Sequence, residues 1–495
     1  MGRDDSLRNP HADRASRRPR VRGRYAGRTV VEGTERMIRR AIILAAGSGR
    51  KMWPYGEFRQ KCAIPVANQP AIRRTCQSLS AVGITEMAIV TGHHGQQVMG
   101  ATADFKGVTY VEQKSLDGGA VAARLAYTER FEGKDVLVVH GDIVTTTAVL
   151  RAFVDGFAET DLEAGALLAP LGDEEAGDWI CGSMAGDLLT DVKGHPRGGS
   201  HRMAGVYALT ASAADCLARN PGFAARVDVG GMPPAEADMA GSMQVLLDDG
   251  RDVFAQVAQE FVIDMDKPWH ALQANARMVD HLCAQIDETT AADGVEISDG
   301  ADIDGKIIVG PNTRIGKRVV LRGGAVIGAN CDITNGANLH GRFVIGDRCR
   351  ISDYCDVGGS SSIGNRCVIG HGAEFSGVLL DKVYLYHYCE MSGFFGEATD
   401  IGAATVCGTL RFDDRDTPHE VGGRKEIPAY GANATYMGDF CRTGVNAILM
   451  PGVKVGSYSC VGPGVILYDD MPAKELVLAK QELVRSPWGP EKYGW

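Results

Sequence analysis

The sequence predicts an α/β half built on a parallel sheet, followed by a parallel β-helix of hexapeptide repeats. Three observations carry that prediction. Apolar β-branched runs, AIIL (41–44), MAIV (87–90), VTYV (108–111) and VLVV (136–139), alternate with helix-period stretches such as AIRRTCQSLSAVG and AVAARLAYTERF. That alternation is the pattern of βαβ units. From Ile297 an aliphatic or aromatic residue recurs every six positions, fourteen times in succession, ending at Phe375. Glycine, at 63 of 495 residues, exceeds the usual share of roughly 7%, and the excess falls mostly in the C-terminal half, where such a chain must bend repeatedly.

Composition excludes several classes. No apolar run approaches the ~18 residues of a membrane span, and no apolar segment of a secretory signal follows the basic start. The thirteen cysteines are therefore read as reduced thiols of a cytoplasmic protein. A net charge of −10 argues against nucleic acid as the main partner. Residues 1–36 hold ten arginines, no lysine and little apolar content. They are read as a disordered extension, with Met37 opening the folded part.

In the N-terminal half, ligands are expected at the carboxyl ends of the parallel strands. Three pieces share that crevice: the glycine turn after the first strand, Gln113–Gly119 after the third, and Gly141–Asp142 after the fourth. Gly47 and Gly49 allow backbone N–H groups to approach phosphate oxygens. Four cations follow within twelve residues, Arg50, Lys51, Arg59 and Lys61. In an acidic chain that gathering points to a polyphosphate. The spacing GSGRKM is neither the GxGxxG dinucleotide turn nor the P-loop.

LAAGSGRKMWP…RQKCAIPVANQP, VVHGD and FVIDMDKPWHALQAN resemble, in order, motifs of the sugar-1-phosphate nucleotidylyltransferases. The resemblance implies a Rossmann-like nucleotidyltransferase domain over 37–285. It also implies attack of a sugar-1-phosphate oxygen on the α-phosphorus of UTP or dTTP, with pyrophosphate leaving. Mg²⁺ would sit on Asp142 and Asp264, with Asp266 the alternative ligand. Arg50, Lys51 and Lys61 would act as catalytic cations, and Ala46, Gly47, Gly49, Gln113, Gly118 and Gly205 would line the nucleotide and sugar. Each has a plainer reading: Asp142 as a helix cap, Asp264 as a loop residue, Lys61 as a solvated lysine, Gln113 as a strand-end polar group. His93–His94 has no partners at ligand spacing and is read as a loop. The sequence departs from the motif at Arg50–Lys51, Gln60, Gln69 and Gly119. These changes leave open an alternative, a regulatory or scaffold homologue that binds nucleotide-sugar.

In the C-terminal half, a mostly small residue lies two before each large one, so both point inward on a strand. Three hexads make an 18-residue triangular coil. Cys331, Cys349 and Cys367 lie 18 apart and are read as stacked fillers of that small inward position. A second comb, Leu449, Val455, Val461 and Leu467, is two residues out of phase with the first, so a loop must interrupt the helix. The polar stretch 411–430 is the expected excursion within 286–475, and 476–495 reads as a tail.

This half is similar to the hexapeptide acyltransferases. Paired with a nucleotidylyltransferase, it resembles bifunctional uridylyltransferase/acetyltransferases, especially their archaeal-type relatives. That resemblance implies a left-handed β-helix, assembly as a homotrimer or dimer of trimers, and a possible second, acetyl-CoA-dependent step. His387 matches the general base of that step, and Arg411, Lys425 and Asn446 match sugar or CoA contacts. Glu390 stands where the family has tyrosine, and Thr409 where it has asparagine. His387 as a structural histidine at a coil edge remains the plainer reading.

Overall fold

The computed structural model describes residues 37–493 apart from 116, 173, 175, 194–197 and 225–234. The Arg-rich segment 1–36 lies outside the described residues. The α/β half is organised around a nine-stranded sheet. In chain order its strands are β1 (Arg40–Ala45), β2 (Glu86–Thr91), β3 (Val108–Glu112), β4 (Val136–His140), β5 (Ala164–Pro170), β6 (Cys181–Ala185), β7 (Leu188–Lys193), β8 (His201–Leu209) and β9 (Val253–Val257). Their order across the sheet is β3-β2-β1-β4-β8-β5-β9-β7-β6.

The first four strands run parallel, as the alternating pattern predicts. The sheet as a whole is mixed, because β8 runs antiparallel between β4 and β5. β6, β7 and β8 arrive as consecutive antiparallel neighbours, and such pairs need only short turns rather than a helical crossover. Alternate residues of β1 face opposite cores. Ile42 packs with the helices of one face and Ala41 and Ile43 with those of the other, all three fully buried.

The C-terminal half stacks short parallel strands in three columns. One column runs Ile297, Ile315, Ile333, Ile351, Ile369, each paired with the residue 18 further on. A second runs Ile303, Leu321, Leu339, Val357, Phe375, and a third Val309, Ile327, Ile345, Ile363. The six-residue comb is thus divided over three faces, and its large residues fill one continuous core. The cysteines fit the small-filler reading. Cys349 and Cys367 are almost fully buried, and their thiols donate to the carbonyls of Gly364 and Leu380 at 2.9 and 3.0 Å.

The phase slip between the combs has two causes, of which the sequence exposed only one. Ile363 pairs with Leu379, Ile369 with Leu385 and Leu385 with Ile401, each only 16 residues on. Two coils are therefore short. The other cause is the excursion: Cys407 pairs next with Leu449, and the intervening chain carries a hairpin, His419–Val421 with Arg424–Glu426.

One corner of each coil requires glycine for a steric reason. At Gly341 φ is +143°, and a Cβ there would lie 2.0 Å from the Gly359 carbonyl oxygen of the next coil. At Gly393 it would lie 1.9 Å from the Thr435 oxygen. Backbone stacks directly on backbone at this corner, which explains much of the glycine excess.

The two halves pack into one body through polar and apolar contacts. The Tyr55 hydroxyl donates to the Phe394 carbonyl at 2.6 Å. Asn275 Oδ1 accepts from Ala67 N at 2.7 Å and from the Ser362 hydroxyl at 2.8 Å. Trp269, Leu272 and Val279, on the helix Pro268–Ala284, share a buried cluster with Val344, Val378 and Phe394. Among the described residues no helix is long and apolar enough to cross a membrane.

Candidate active site

β1 stops because Gly47 and Gly49 cannot sustain a strand in this setting, and Gly49 takes φ +63°. Its missing side chain leaves the turn in contact with Lys61, whose Cβ would lie 3.5 Å from an added methyl. A cleft of about 310 Å³ opens here, at the carboxyl ends of β1, β3 and β4. Ala46, Gly47, Arg50, Lys61, Gln113, Gly118 and Asp142 all line it. The crevice expected from the topology therefore holds most of the residues the motifs singled out.

Charge alternates through the site. Lys61 Nζ is ion-paired with Asp142 and lies 4.0 Å from Asp266 Oδ1, while Lys51 Nζ meets Asp266 Oδ2 at 2.7 Å. Asp264 ends a short strand, Val262–Asp264, that pairs antiparallel with Ile143–Thr145. Asp264 thus sits opposite Ile143, and Met265 N donates to the Asp142 carbonyl at 3.2 Å. The chain segments carrying Asp142 and Asp264 are therefore direct neighbours. With Lys51, Lys61, Asp142, Asp264 and Asp266 all ionised, the group carries a net charge of −1.

Burial tunes each member. Burial, then the Asp142 carboxylate, pushes Asp264 up to about 6. Burial alone would raise Asp266 as well, but the Lys51 and Lys61 ammoniums hold it well below the usual carboxylate range. Burial alone would lower Lys61, yet Asp142, Asp264 and Asp266 hold it well above its ordinary value. Asp264 Oδ1 is buried without a hydrogen-bond partner among the described residues. An orphaned carboxylate oxygen beside a second carboxylate, raised by mutual repulsion, fits a divalent cation with oxygen ligands.

Several expectations are redistributed. Arg59 does not serve the cleft. It grips Asp439 at 2.8 and 3.0 Å and Glu397 at 3.0 Å, across to the other half. Gly205, at φ +69°, packs under the site: a Cβ would lie 2.9 Å from Ile143 and 3.1 Å from the His140 ring. Arg411 is exposed and pairs with its own neighbour Asp413 at 2.9 Å. Lys425 is exposed on the excursion hairpin. His387 stacks on His371, with ring centres 5.0 Å apart. Asn446 lies two coils from His387 on the same corner, linked through Ala404 N to the His387 carbonyl and Asn446 N to the Ala403 carbonyl. His94 Nε2 meets the Glu57 carbonyl at 3.1 Å, consistent with a loop role.

Three features escaped the sequence. Gln60, 1% exposed, replaces the motif's proline and ties the turn together. Its Nε2 donates to the Ala45 carbonyl at 2.8 Å and to the Gly47 carbonyl at 3.3 Å, and its Oε1 accepts from Cys62 N. Gln60→Ala leaves those buried groups unpaired and is expected to lower unfolding free energy by about 1–3 kcal/mol, measurable by denaturant titration. His140 ends an otherwise apolar strand, and its Nε2 has no partner among the described residues. Residues 236–238 wall the cleft by wrapping Gly118, where a Cβ would lie 2.6 Å from Ala237 N and O. A polar residue closing VLVVH was the available signal for His140, whereas nothing in sequence marked 236–238.

Behind the site, burial and then Lys267 lower the His270 imidazole to about 3. An unfolded imidazole titrates near 6.5. Its contribution to stability is therefore full above about pH 6.5 and is lost as pH falls toward about 3, at up to about 1.4 kcal/mol per pH unit. His270→Gln is expected to flatten the pH dependence of unfolding in that window.

A domain family described as MobA-like NTP transferase matches residues 41–215. A bifunctional protein GlmU from Methanococcus maripaludis (strain C7) is 30% identical over 454 residues, covering 90% of this chain and 98% of its own. This chain belongs to the GlmU family. The GlmU protein of a second strain, S2, is 26% identical with the same coverage. A bifunctional sugar-1-phosphate nucleotidylyltransferase/acetyltransferase of Sulfurisphaera tokodaii is 22% identical, over 87% of this chain and 98% of its own. As in those full-length GlmU-type matches, the similarity runs through both halves, and the N-terminal half is a Rossmann-like NTP transferase domain.

Proposed function

We propose that this GlmU-family enzyme transfers a nucleotidyl group from UTP or dTTP to a sugar 1-phosphate and releases pyrophosphate. The observation that carries the reading is the meeting of Asp142, the orphaned Asp264 oxygen and Lys61 beside the Gly47–Gly49 turn. Asp142 and Asp264 would hold Mg²⁺, and Asp266, occupied by Lys51, is the weaker candidate. A bound Mg²⁺ neutralises charge on the phosphates and on the leaving pyrophosphate. The turn's N–H groups receive phosphate oxygens, and Lys61 exchanges Asp142 for the α-phosphate as it becomes charged in the transfer. Gln113, whose buried Nε2 has no partner among the described residues, is placed to read the base with Gly118. Gly205 leaves room on the sugar side.

The parallel-strand half is read as a left-handed β-helix over 286–475 with its excursion, assembling homotrimers or a dimer of trimers. Its outward ladder turns apolar toward the C-terminal end, through Val406, Ile448 and Ile466, which suits burial against another copy. A second reading adds acetyl transfer from acetyl-CoA to an amino-sugar phosphate, with His387 as base. The names of the relatives and the shared corner of His387 and Asn446 favour it. Thirteen unpaired thiols suit a cytoplasmic setting. The alternative of a regulatory homologue rested on Lys51 and Gly119. It is not favoured, because Lys51 has a defined partner in Asp266 and Gly119 lines an open cleft.

The test is pyrophosphate release with each NTP and a panel of sugar 1-phosphates. Turnover with one pair is the expected result, and tight nucleotide-sugar binding without turnover would favour the regulator. Free-CoA release from acetyl-CoA with glucosamine or galactosamine 1-phosphate tests the second step, and silence with both reduces that half to assembly.

A further inference from the structure

The excursion hairpin does not stay on its own half. Val421 enters the cluster around Trp269, and the His419 ring lies 5.1 Å from the Trp269 ring while its Nε2 bonds the Ala432 carbonyl at 2.7 Å. The hairpin thereby delivers Glu426, 9% exposed, to Lys267, 5% exposed, and the two form an ion pair. Arg424 braces the same carboxylate at 3.2 Å and reaches Asp178 at 3.7 Å. Lys267 directly follows Asp266. It is extended, at φ −142° and ψ 160°, so its side chain leaves on the side opposite that of Asp266. Two oppositely directed pairs therefore hold consecutive residues, Lys51 with Asp266 and Glu426 with Lys267.

We propose that Glu426 is a positioning residue for the cation site of the N-terminal half: it holds the Lys267 ammonium away from Asp264 and Asp266. This rests on the metal-dependent reading above. A buried ammonium deprived of its carboxylate seeks the nearest other one. With Glu426 neutralised, Lys267 turns to the Asp264–Asp266 pair and competes there with a divalent cation. The C-terminal half then sets the metal affinity of the N-terminal half through one side chain. Outer partners of metal ligands commonly alter affinity by about 10–100-fold.

The experiment is a calorimetric Mn²⁺ titration of the full chain, without turnover, beside the wild-type pyrophosphate assay. Glu426→Gln is expected to weaken Mn²⁺ binding about tenfold, Glu426→Asp to keep wild-type affinity, and Lys267→Met/Glu426→Gln to restore it. Unchanged affinity in Glu426→Gln overturns the proposal. So does equal loss in the single and double variants, since that pattern marks a merely structural role. Should Glu426→Gln fail to fold, Lys267→Met carries the test: affinity within about twofold of wild type supports the proposal, and a tenfold loss overturns it. Wild-type protein that binds Mn²⁺ but transfers no nucleotide would sink the proposed reaction while leaving the Glu426 comparison readable.

Discussion

Asp142→Asn is expected to reduce nucleotidyl transfer by about 10³-fold or more, with the loss in kcat. At about 1.4 kcal/mol per tenfold, that is roughly 4 kcal/mol of transition-state stabilisation. The substitution keeps the side chain's shape, and Lys61 retains Asp264 and Asp266 as electrostatic partners, so the fold is expected to survive. Steady-state pyrophosphate release, with unfolding measured in parallel, separates the two effects. A variant within tenfold of wild type would mean that Asp142 is a structural partner of Lys61 and no more.

The second large effect is on stability. Gly341→Ala places a methyl 2.0 Å from the Gly359 carbonyl oxygen, at a backbone angle of φ +143°. The obstacle is backbone, paired along an eight-residue strand on the next coil, so neither partner relaxes without breaking the stack. The expected loss is about 3 kcal/mol or more, read as a lowered denaturant midpoint or lost soluble protein. Gly83→Ala is the control. It also has positive φ, at +97°, but no atom lies within 4 Å of its added methyl. Its backbone strain alone is expected to cost about 1–2 kcal/mol. Equal effects at the two sites would show that angle, not stacking, makes the corner glycines necessary.

What the sequence revealed was local or periodic. The comb from Ile297 to Phe375 is legible because each coil repeats the same inward side chains, and the structure sorts them into three columns 18 residues deep. The crevice was legible because a parallel sheet places its strand ends together, and Gly47, Lys61, Gln113 and Asp142 each follow such a strand. What stayed hidden depends on distant parts of the chain. Arg59 looked like one more phosphate cation, but its partners, Glu397 and Asp439, lie more than 300 residues away. The two 16-residue coils were masked because Leu379 and Leu385 resume a comb that had slipped. Gln60 read as a lost proline, and only the approach of the Ala45 and Gly47 carbonyls explains it. Glu426 sits in an excursion that looked like a solvated loop.

The measurement closest to the central claim is Mn²⁺ binding in the presence of a non-hydrolysable UTP analogue, for wild type, Asp142→Asn and Asp264→Asn. If these two carboxylates share one cation beside the glycine turn, wild type binds a single strong Mn²⁺ and each variant loses it. Wild-type affinity in both variants would contradict the account.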